Sequence, residues 1–171
     1  MIKFPEDNEY GPYYENYVSK VKGEDVAALL AAQVNDLRFF FKQIPEEKTV
    51  LPYKPGKWTY KQLLGHINDT EKIMYFRALC IARNESQELP GFDQDDYVIA
   101  TDFNSVPLPD FLEDFELTRR SLSYFIKNLN EEASARIGTV NGFATSARAL
   151  LFIIAGHFEH HLEILRDSSL K

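Results

Sequence analysis

Apolar residues recur with the period of an α-helix in four long stretches of the chain, and the segments between them are rich in Pro, Gly and Asp. Pro45 ends the first stretch, and Thr59 with Gln62 has the spacing of a capping box before the second. Thr145 or Ser146 is the expected N-cap of the fourth. The pattern predicts helices over about 24–44, 60–83, 109–129 and 146–166.

Strand signals are scarce, and the best β-like run, YVIATDF at 97–103, is short and isolated. Four amphipathic helices therefore predict an all-α fold, a four-helix bundle. The first two connections between the helices each exceed a dozen residues, which permits long crossovers. Because the chain has no repeat or linker, we predict one domain over 1–171, with an aromatic-rich leader (1–22) packed on the bundle.

Composition narrows the class of protein. The formal net charge of −7 argues against a nucleic-acid partner, which requires a basic surface. No apolar run is long enough to span a membrane, and the N-terminus lacks the pattern of a secretory signal. The lone Cys80 allows no internal disulfide, which favours a reducing compartment. We predict a cytoplasmic protein that binds neither nucleic acid nor membranes.

Three of the four histidines fall in one stretch, AGHFEHHLEIL at 155–165. His157 and His161 are four residues apart on the apolar stripe of the fourth helix. Residues so spaced have Cβ atoms about 5–6 Å apart, so both rings can converge on one point. His160 lies a step off this stripe and is expected at the rim of any site.

The fourth histidine, His66, lies on the apolar stripe of the second helix, where it could face the pair. Three histidines with one open position are typical of a catalytic metal site, whereas structural zinc sites usually have four protein ligands. The zincin motif is a poor match, because Phe158 stands where its Glu would follow the first His. Spacing alone leaves a metal site and a set of packed core histidines both open.

The chain resembles the DinB-like/YfiT-like superfamily of metal-binding four-helix bundles. The resemblance is carried by KWTYKQLLGHINDTEKIMYFRALCIAR (57–83), LPGFDQDDYV (89–98), LTRRSL (117–122) and SARALLFIIAGHFEHHLEIL (146–165). It implies an up-down-down-up bundle in which His66, His157 and His161 bind one divalent metal ion, Zn²⁺ or Ni²⁺. Homodimers are frequent in the superfamily. Its known members include S-transferases that use bacillithiol or mycothiol, which implies a low-molecular-weight thiol as a possible cosubstrate.

Two arginines, Arg77 and Arg119, are placed by helical spacing on inward-facing stripes. A buried guanidinium requires a partner, because an unpaired charge inside a protein is very costly. That partner could be an acid of the chain or the carboxylate of a ligand, which Arg recognises with two parallel hydrogen bonds. Both interpretations remain open; the candidate acids are Glu71, Glu116, Asp93, Asp95 and Asp96.

Three acidic residues are further candidates near the site. Asp69, just after His66, could orient a ligand histidine or simply be solvated. Asp93 and Asp96 lie in the segment 89–98, which we expect to govern substrate choice. They could orient a histidine, act as a base or solvate the loop. The leader tyrosines could cover the pocket, although nothing in the sequence supports it.

The sequence thus leads to two functional hypotheses and a simpler third. The first is a metal-dependent enzyme that activates a small thiol or water against a small electrophilic substrate. Resemblance alone favours S-transfer over hydrolysis. The second is a non-catalytic, stress-associated protein that binds a metal or small ligand. The third is a metal-free bundle whose histidines only pack. The sequence identifies no general base.

Overall fold

Four long helices, α2, α3, α5 and α7, dominate the computed structural model, which describes residues 1–169. The elements are α1 (Glu15–Val18), α2 (Val26–Phe41), α3 (Tyr60–Ala82), α4 (Gln94–Ile99), α5 (Leu108–Lys127), α6 (Glu131–Ala135), β1 (Ile137–Val140), β2 (Phe143–Ser146) and α7 (Ala147–Ser169). Short 3₁₀ turns occupy Pro12–Tyr14, Ser19–Val21, Glu46–Lys48 and Phe103–Ser105. The four long helices match the four predicted from sequence. Residues 170–171 of the predicted domain lie outside the described range.

The contacts between the helices fix the order of the bundle. Helices α2 and α3 each pack against both α5 and α7, so α2 lies diagonally opposite α3. Side-chain contacts then give the directions: Leu30 and Arg38 of α2 meet Arg119 and Glu116 of α5, so these two helices are antiparallel.

Helix α3 runs parallel to α5 and antiparallel to α7. Asn68 and Tyr75 of α3 bond to Phe111 and Ser121 of α5, in rising order along both helices. In contrast, the residue numbers of the α7 partners decrease as α3 advances, from Ser168 opposite Tyr60 to His157 opposite His66. The bundle is therefore up-down-down-up, as predicted.

The ends of the helices carry the caps that the sequence predicts. Thr59 Oγ1 accepts from the Gln62 backbone N–H at 3.1 Å, and Gln62 Oε1 accepts from the Thr59 N–H at 2.9 Å. At the start of α7 the N-cap is Ser146, whose hydroxyl accepts from the Ala149 N–H at 2.9 Å. Helix α2 ends at Phe41, four residues before Pro45, so the predicted end at 44 was slightly late.

The β-like run at 97–103 does not form a strand. Asp93 accepts hydrogen bonds from the backbone of the following residues and starts α4, which takes up the first part of that run. The strands lie elsewhere, in an antiparallel hairpin of β1 and β2 whose register pairs Ile137 with Ser146. Its turn is Asn141-Gly142, both at positive φ (48° and 80°), the conformation that favours these residue types.

The N-terminal leader lies against α7. Glu9 accepts hydrogen bonds from Ser146 Oγ at 2.8 Å and Arg148 Nε at 2.7 Å. Farther along, a Cβ on Gly156 would lie 1.9 Å from the carbonyl oxygen of Tyr17, so only glycine permits this contact between α1 and α7. The leader is thereby held beside the residue that follows Gly156, which is His157.

Candidate metal centre

Helices α3 and α7 bring three histidines together inside the bundle. The Nε2 atom of His66 lies 3.0 Å from that of His157 and 3.2 Å from that of His161. The third separation, between His157 and His161, is 3.0 Å. All three side chains are buried. Across residues 1–169, no other histidine, cysteine or acid joins the cluster.

The donor atoms suit a divalent cation. Burial lowers the pKa of His66 to about 4, and burial with the neighbouring rings holds the pKa values of His157 and His161 well below their ordinary range. The rings are therefore neutral, the form that binds metals. Nitrogen ligands at about 2.0–2.1 Å from one ion lie about 3.3 Å apart in a tetrahedron and about 2.9 Å apart in an octahedron. The observed separations fall between these values.

The surrounding side chains fix the orientation of two of the rings. Thr70 lies one turn beyond His66, with its Oγ1 3.3 Å from Nδ1 of that ring. If Nδ1 donates to this hydroxyl, Nε2 keeps its lone pair for a metal. The Tyr17 ring stands at 87° to that of His157, with centroids 5.3 Å apart. In the described part of the chain, Nδ1 of His161 has no hydrogen-bond partner.

A cavity of about 340 Å³ opens beside His66 and His157. This volume is at the small end of the range for small-molecule sites. Its walls come from the leader, α3, the segment before α4 and the β-hairpin turn. The other residues that line it are Tyr13, Tyr14, Tyr17, Thr70, Met74, Arg77, Gly91, Phe92, Asp93, Gln94, Asp95 and Asn141.

Two of the predicted neighbours lie near the cluster but outside its centre. His160 is half-buried at the rim, where its ring contacts His161 and Tyr17 with centroids 5.0 and 5.4 Å apart. Asp69 is also half-buried, and burial followed by the charge of Asp114 keeps its pKa raised. The hydroxyl that contacts His66 belongs to the next residue, Thr70.

The two predicted aspartates of the segment 89–98 have different positions. Asp93 lines the cavity, but its Oδ1 accepts from the backbone N–H groups of Asp95 and Asp96 and thus caps α4. Asp96 is exposed in the first turn of that helix and does not line the cavity. Asp95 also lines it, so the segment contributes to the pocket through Asp93 and Asp95 and not through Asp96.

The two predicted arginines, Arg77 and Arg119, differ in their partners. Arg119 donates from Nε to Glu71 Oε1 at 2.5 Å, so one of the acids proposed from sequence is its partner. Arg77 is also buried and lines the cavity, yet no acid within residues 1–169 forms a salt bridge with it. Its polar contacts are the Pro90 carbonyl oxygen at 2.5 Å, the Met74 sulfur at 3.4 Å and the hydroxyl of Tyr14.

Sequence reasoning missed several residues of the pocket wall. Thr70 shares the stripe of His66, and its position four residues later was the available signal. Asn141 belongs to an Asn-Gly pair flanked by apolar residues, a strong hairpin signal. The contact of Tyr17 with His157 depends on Gly156 and on the path of the leader, which no local pattern indicates.

The sequence profile of the DinB superfamily matches residues 24–165, which include all three histidines. The chain belongs to the DinB superfamily. This agrees with the resemblance drawn from its motifs, and the match covers all four long helices of the bundle up to residue 165.

Two relatives carry names that mention metals. A protein of Oceanobacillus iheyensis named "Putative metal-dependent hydrolase OB0413" is 28% identical over 148 residues, which is 84% of each chain. The structure of YfiT from Bacillus subtilis, described as a probable metal-dependent hydrolase with an unusual four-helix bundle topology, matches with a TM-score of 0.75. That match covers 98% of this chain and 92% of YfiT at 14% identity, so it establishes the fold alone.

Among the described helices, each is too short or too polar to cross a bilayer.

Proposed function

We propose that this protein is a metal-dependent enzyme whose three histidines bind one divalent cation. The convergence of three buried Nε2 atoms within 3.0–3.2 Å of one another carries the proposal. Neutral imidazoles placed so closely gain little from hydrogen bonds among themselves, because each neutral ring has a single N–H. A shared cation is the partner that satisfies all three lone pairs together.

Such a cation is a Lewis acid that activates a bound water or thiol for attack on an electrophilic substrate. The chain's own residues supply the ligands, their orientation and the pocket. Thr70 fixes the ring of His66, and Tyr17 packs on that of His157. Because the three rings are neutral and buried, the charge of the cation is not offset by acids in the cluster, which favours an anionic nucleophile.

Both nucleophiles fit this donor set. Hydrolysis has the support of the names given to the Oceanobacillus iheyensis and Bacillus subtilis relatives. Thiol transfer has only the support of resemblance to superfamily members that use thiols. We therefore propose a small electrophilic substrate and leave water and a small thiol as competing nucleophiles, to be separated by experiment. The metals that we propose are Zn²⁺ or Ni²⁺. We propose a cytoplasmic protein, and the frequency of homodimers in the superfamily supports a homodimer.

Elemental analysis of the purified protein beside the His161→Ala variant tests the proposal. We expect close to one equivalent of metal in the parent and loss of that metal in the variant. His160→Ala is the matched control, because its side chain lies at the rim; we expect it to keep the metal. Absence of metal from the parent after incubation with Zn²⁺ and Ni²⁺ would contradict the proposal.

Turnover then separates the two nucleophiles. The metal-loaded parent is offered small activated esters and amides without thiol, and small alkylating electrophiles with and without cysteine. Turnover that requires the thiol identifies an S-transferase, and turnover without it identifies a hydrolase. A metal-loaded protein that turns over neither set, although its metal exchanges ligands, would instead support a non-catalytic binding protein.

A further inference from the structure

Arg77 is the buried charge for which the proposed chemistry has no use. Its side chain is 3% exposed and lines the same cavity as His66 and His157. Across the described residues its contacts are a backbone carbonyl, the Met74 sulfur, the hydroxyl of Tyr14 and the face of Phe92, whose centroid lies 5.6 Å from the guanidinium carbon. None of these neutralises a positive charge.

Two acids line the cavity, Asp93 and Asp95, but in the described part of the chain neither forms a salt bridge with Arg77. Asp93 precedes α4, and its Oδ1 accepts two backbone hydrogen bonds as the cap of that helix. The buried acid of α3, Glu71, does not line this cavity and is paired with Arg119. An uncompensated buried guanidinium is costly, and its fork of N–H donors matches a carboxylate.

The position of Arg77 along α3 gives the geometry of a ligand. His66, Thr70, Met74 and Arg77 follow one another on the same face, and all four line the cavity. Eleven residues separate His66 from Arg77, a rise of about 16 Å along the helix. A ligand that contacts both ends must therefore be elongated, with its reacting group at the histidines and a second group at the arginine.

We propose that the cavity takes a substrate or thiol cosubstrate that carries a carboxylate, and that Arg77 binds this carboxylate at the end of the cavity away from the histidines. The inference rests on the proposed function, because it assigns the reacting end of the ligand to the metal. Phe92 packs on one face of the guanidinium and holds it in place. The anion supplies the salt-bridge partner that Arg77 lacks among the described residues.

The experiment uses the full-length protein loaded with Co²⁺, whose absorption spectrum reports binding of a thiolate. The probes are mercaptoalkanoates of increasing chain length, from mercaptopropionate to mercaptoundecanoate, and the mercaptoalkanols of the same lengths. We expect one of the longer acids to bind about ten- to hundredfold more tightly than its matched alcohol, the range for hydrogen bonds to a charged group. The shortest acid should show no such preference.

In Arg77→Met the preference for the acid should fall to about twofold or less, while the affinity for the alcohols stays unchanged. Arg77→Lys, which keeps the charge but not the fork, should retain part of it. Arg120→Met is the matched control, because Arg120 is exposed on α5 and does not line this cavity; it should retain all of it.

Each outcome bears on one proposal. Equal binding of acids and alcohols at every length in the parent overturns the role of Arg77, while the thiolate spectrum still supports an open metal site. A preference that persists in Arg77→Met also overturns it. If Co²⁺ does not bind, the proposed function fails; if Co²⁺ binds but no thiol changes its spectrum, this inference fails while a metal-dependent hydrolase remains. The parent series alone decides the matter should Arg77→Met not fold.

Discussion

Two polar regions of the bundle interior are equally buried but differ in whether the protein itself pairs the buried arginine with an acid. Arg119 is 4% exposed and Arg77 is 3% exposed. Around Arg119 the chain provides Glu71 at 2.5 Å, Gln33 Oε1 at 2.7 Å and the Leu30 carbonyl oxygen at 2.8 Å. By contrast, Arg77 forms no salt bridge with any acid of the described residues, and its side chain faces a cavity that Asp93 and Asp95 also line.

The presence of a salt-bridge partner distinguishes polar groups that stabilise the fold from those that we expect to bind a ligand. Arg119 joins α2, α3 and α5, and its guanidinium lies 4.6 Å from the centroid of the Phe115 ring, so the charge is neutralised within the core. The region of Arg77 contains three neutral histidines with converging lone pairs. We call Arg119 and its partners the closed cluster, and Arg77 with the three histidines the open cluster. Substitutions in the closed cluster should therefore mainly destabilise the fold, and substitutions in the open cluster should mainly weaken ligand binding.

Breaking the closed cluster should give the largest loss of folding free energy. Glu71→Gln leaves Arg119 buried without a counter-charge, and we expect the free energy of unfolding to fall by about 3–5 kcal/mol. Denaturant titration followed by circular dichroism measures it. The double variant with Arg119→Met should recover most of the loss, because no buried charge remains. A loss below about 1 kcal/mol in Glu71→Gln would place this pair among weak surface-like ion pairs.

The open cluster should make the metal-free protein sensitive to acid. Burial lowers the pKa of His66 from its ordinary 6.5 to about 4, so the unfolded chain binds its proton more readily than the native protein does. Stability from this residue is fully present above pH 6.5 and is lost as the pH falls towards 4, by about 3 kcal/mol in total.

Chelated protein, unfolded by denaturant at a series of pH values, measures this loss. His66→Asn should show a shallower fall between pH 7 and 5, because one titrating ring has been removed. His160→Gln is the control, since His160 is half-buried at the rim. Equal slopes for the parent and His66→Asn would show that His66 is not held neutral by its surroundings.

The sequence predicted the four long helices and the three histidines because both depend on local spacing. Stripes of apolar residues give the helices, and an i, i+4 pair puts His157 and His161 on one face. The run YVIATDF has a β-like composition, because aromatic and β-branched residues favour strands, although the sequence predicts an all-α fold. The cap formed by Asp93 and the packing of Val98, which is 3% exposed, outweigh that preference.

Other features depend on contacts between distant segments and left no periodic signal. The choice between Glu71 and the other acids as the partner of Arg119 follows from the order of helices in the bundle. The role of Tyr17 follows from Gly156, a glycine whose purpose is visible only when the leader lies on α7. The Asn141-Gly142 turn was readable in principle, since Asn-Gly between apolar residues is a hairpin signal.

A smaller effect, on metal affinity, is expected from Thr70, whose hydroxyl lies beside a histidine of the open cluster. Thr70→Val removes the hydroxyl 3.3 Å from Nδ1 of His66 and keeps the volume of the side chain. We expect metal affinity to fall about 10–100-fold, the usual cost of losing such a partner. Competition against a chelator of known affinity measures it. Thr118→Val on α5, whose hydroxyl bonds to the Asp114 carbonyl oxygen, is the matched control and should leave metal affinity unchanged.

The smallest effect on folding should come from Arg77, and it completes the comparison. Arg119→Met leaves the buried carboxylate of Glu71 without its partner and should lower the free energy of unfolding by about 3–5 kcal/mol. Arg77→Met removes no salt bridge within residues 1–169, so we expect the free energy of unfolding to change by less than about 1 kcal/mol. The same substitution at two equally buried sites then separates burial from pairing. Equal losses in the two variants would mean that Arg77 has a structural role as large as that of Arg119, and that its cavity-facing position is incidental to ligand binding.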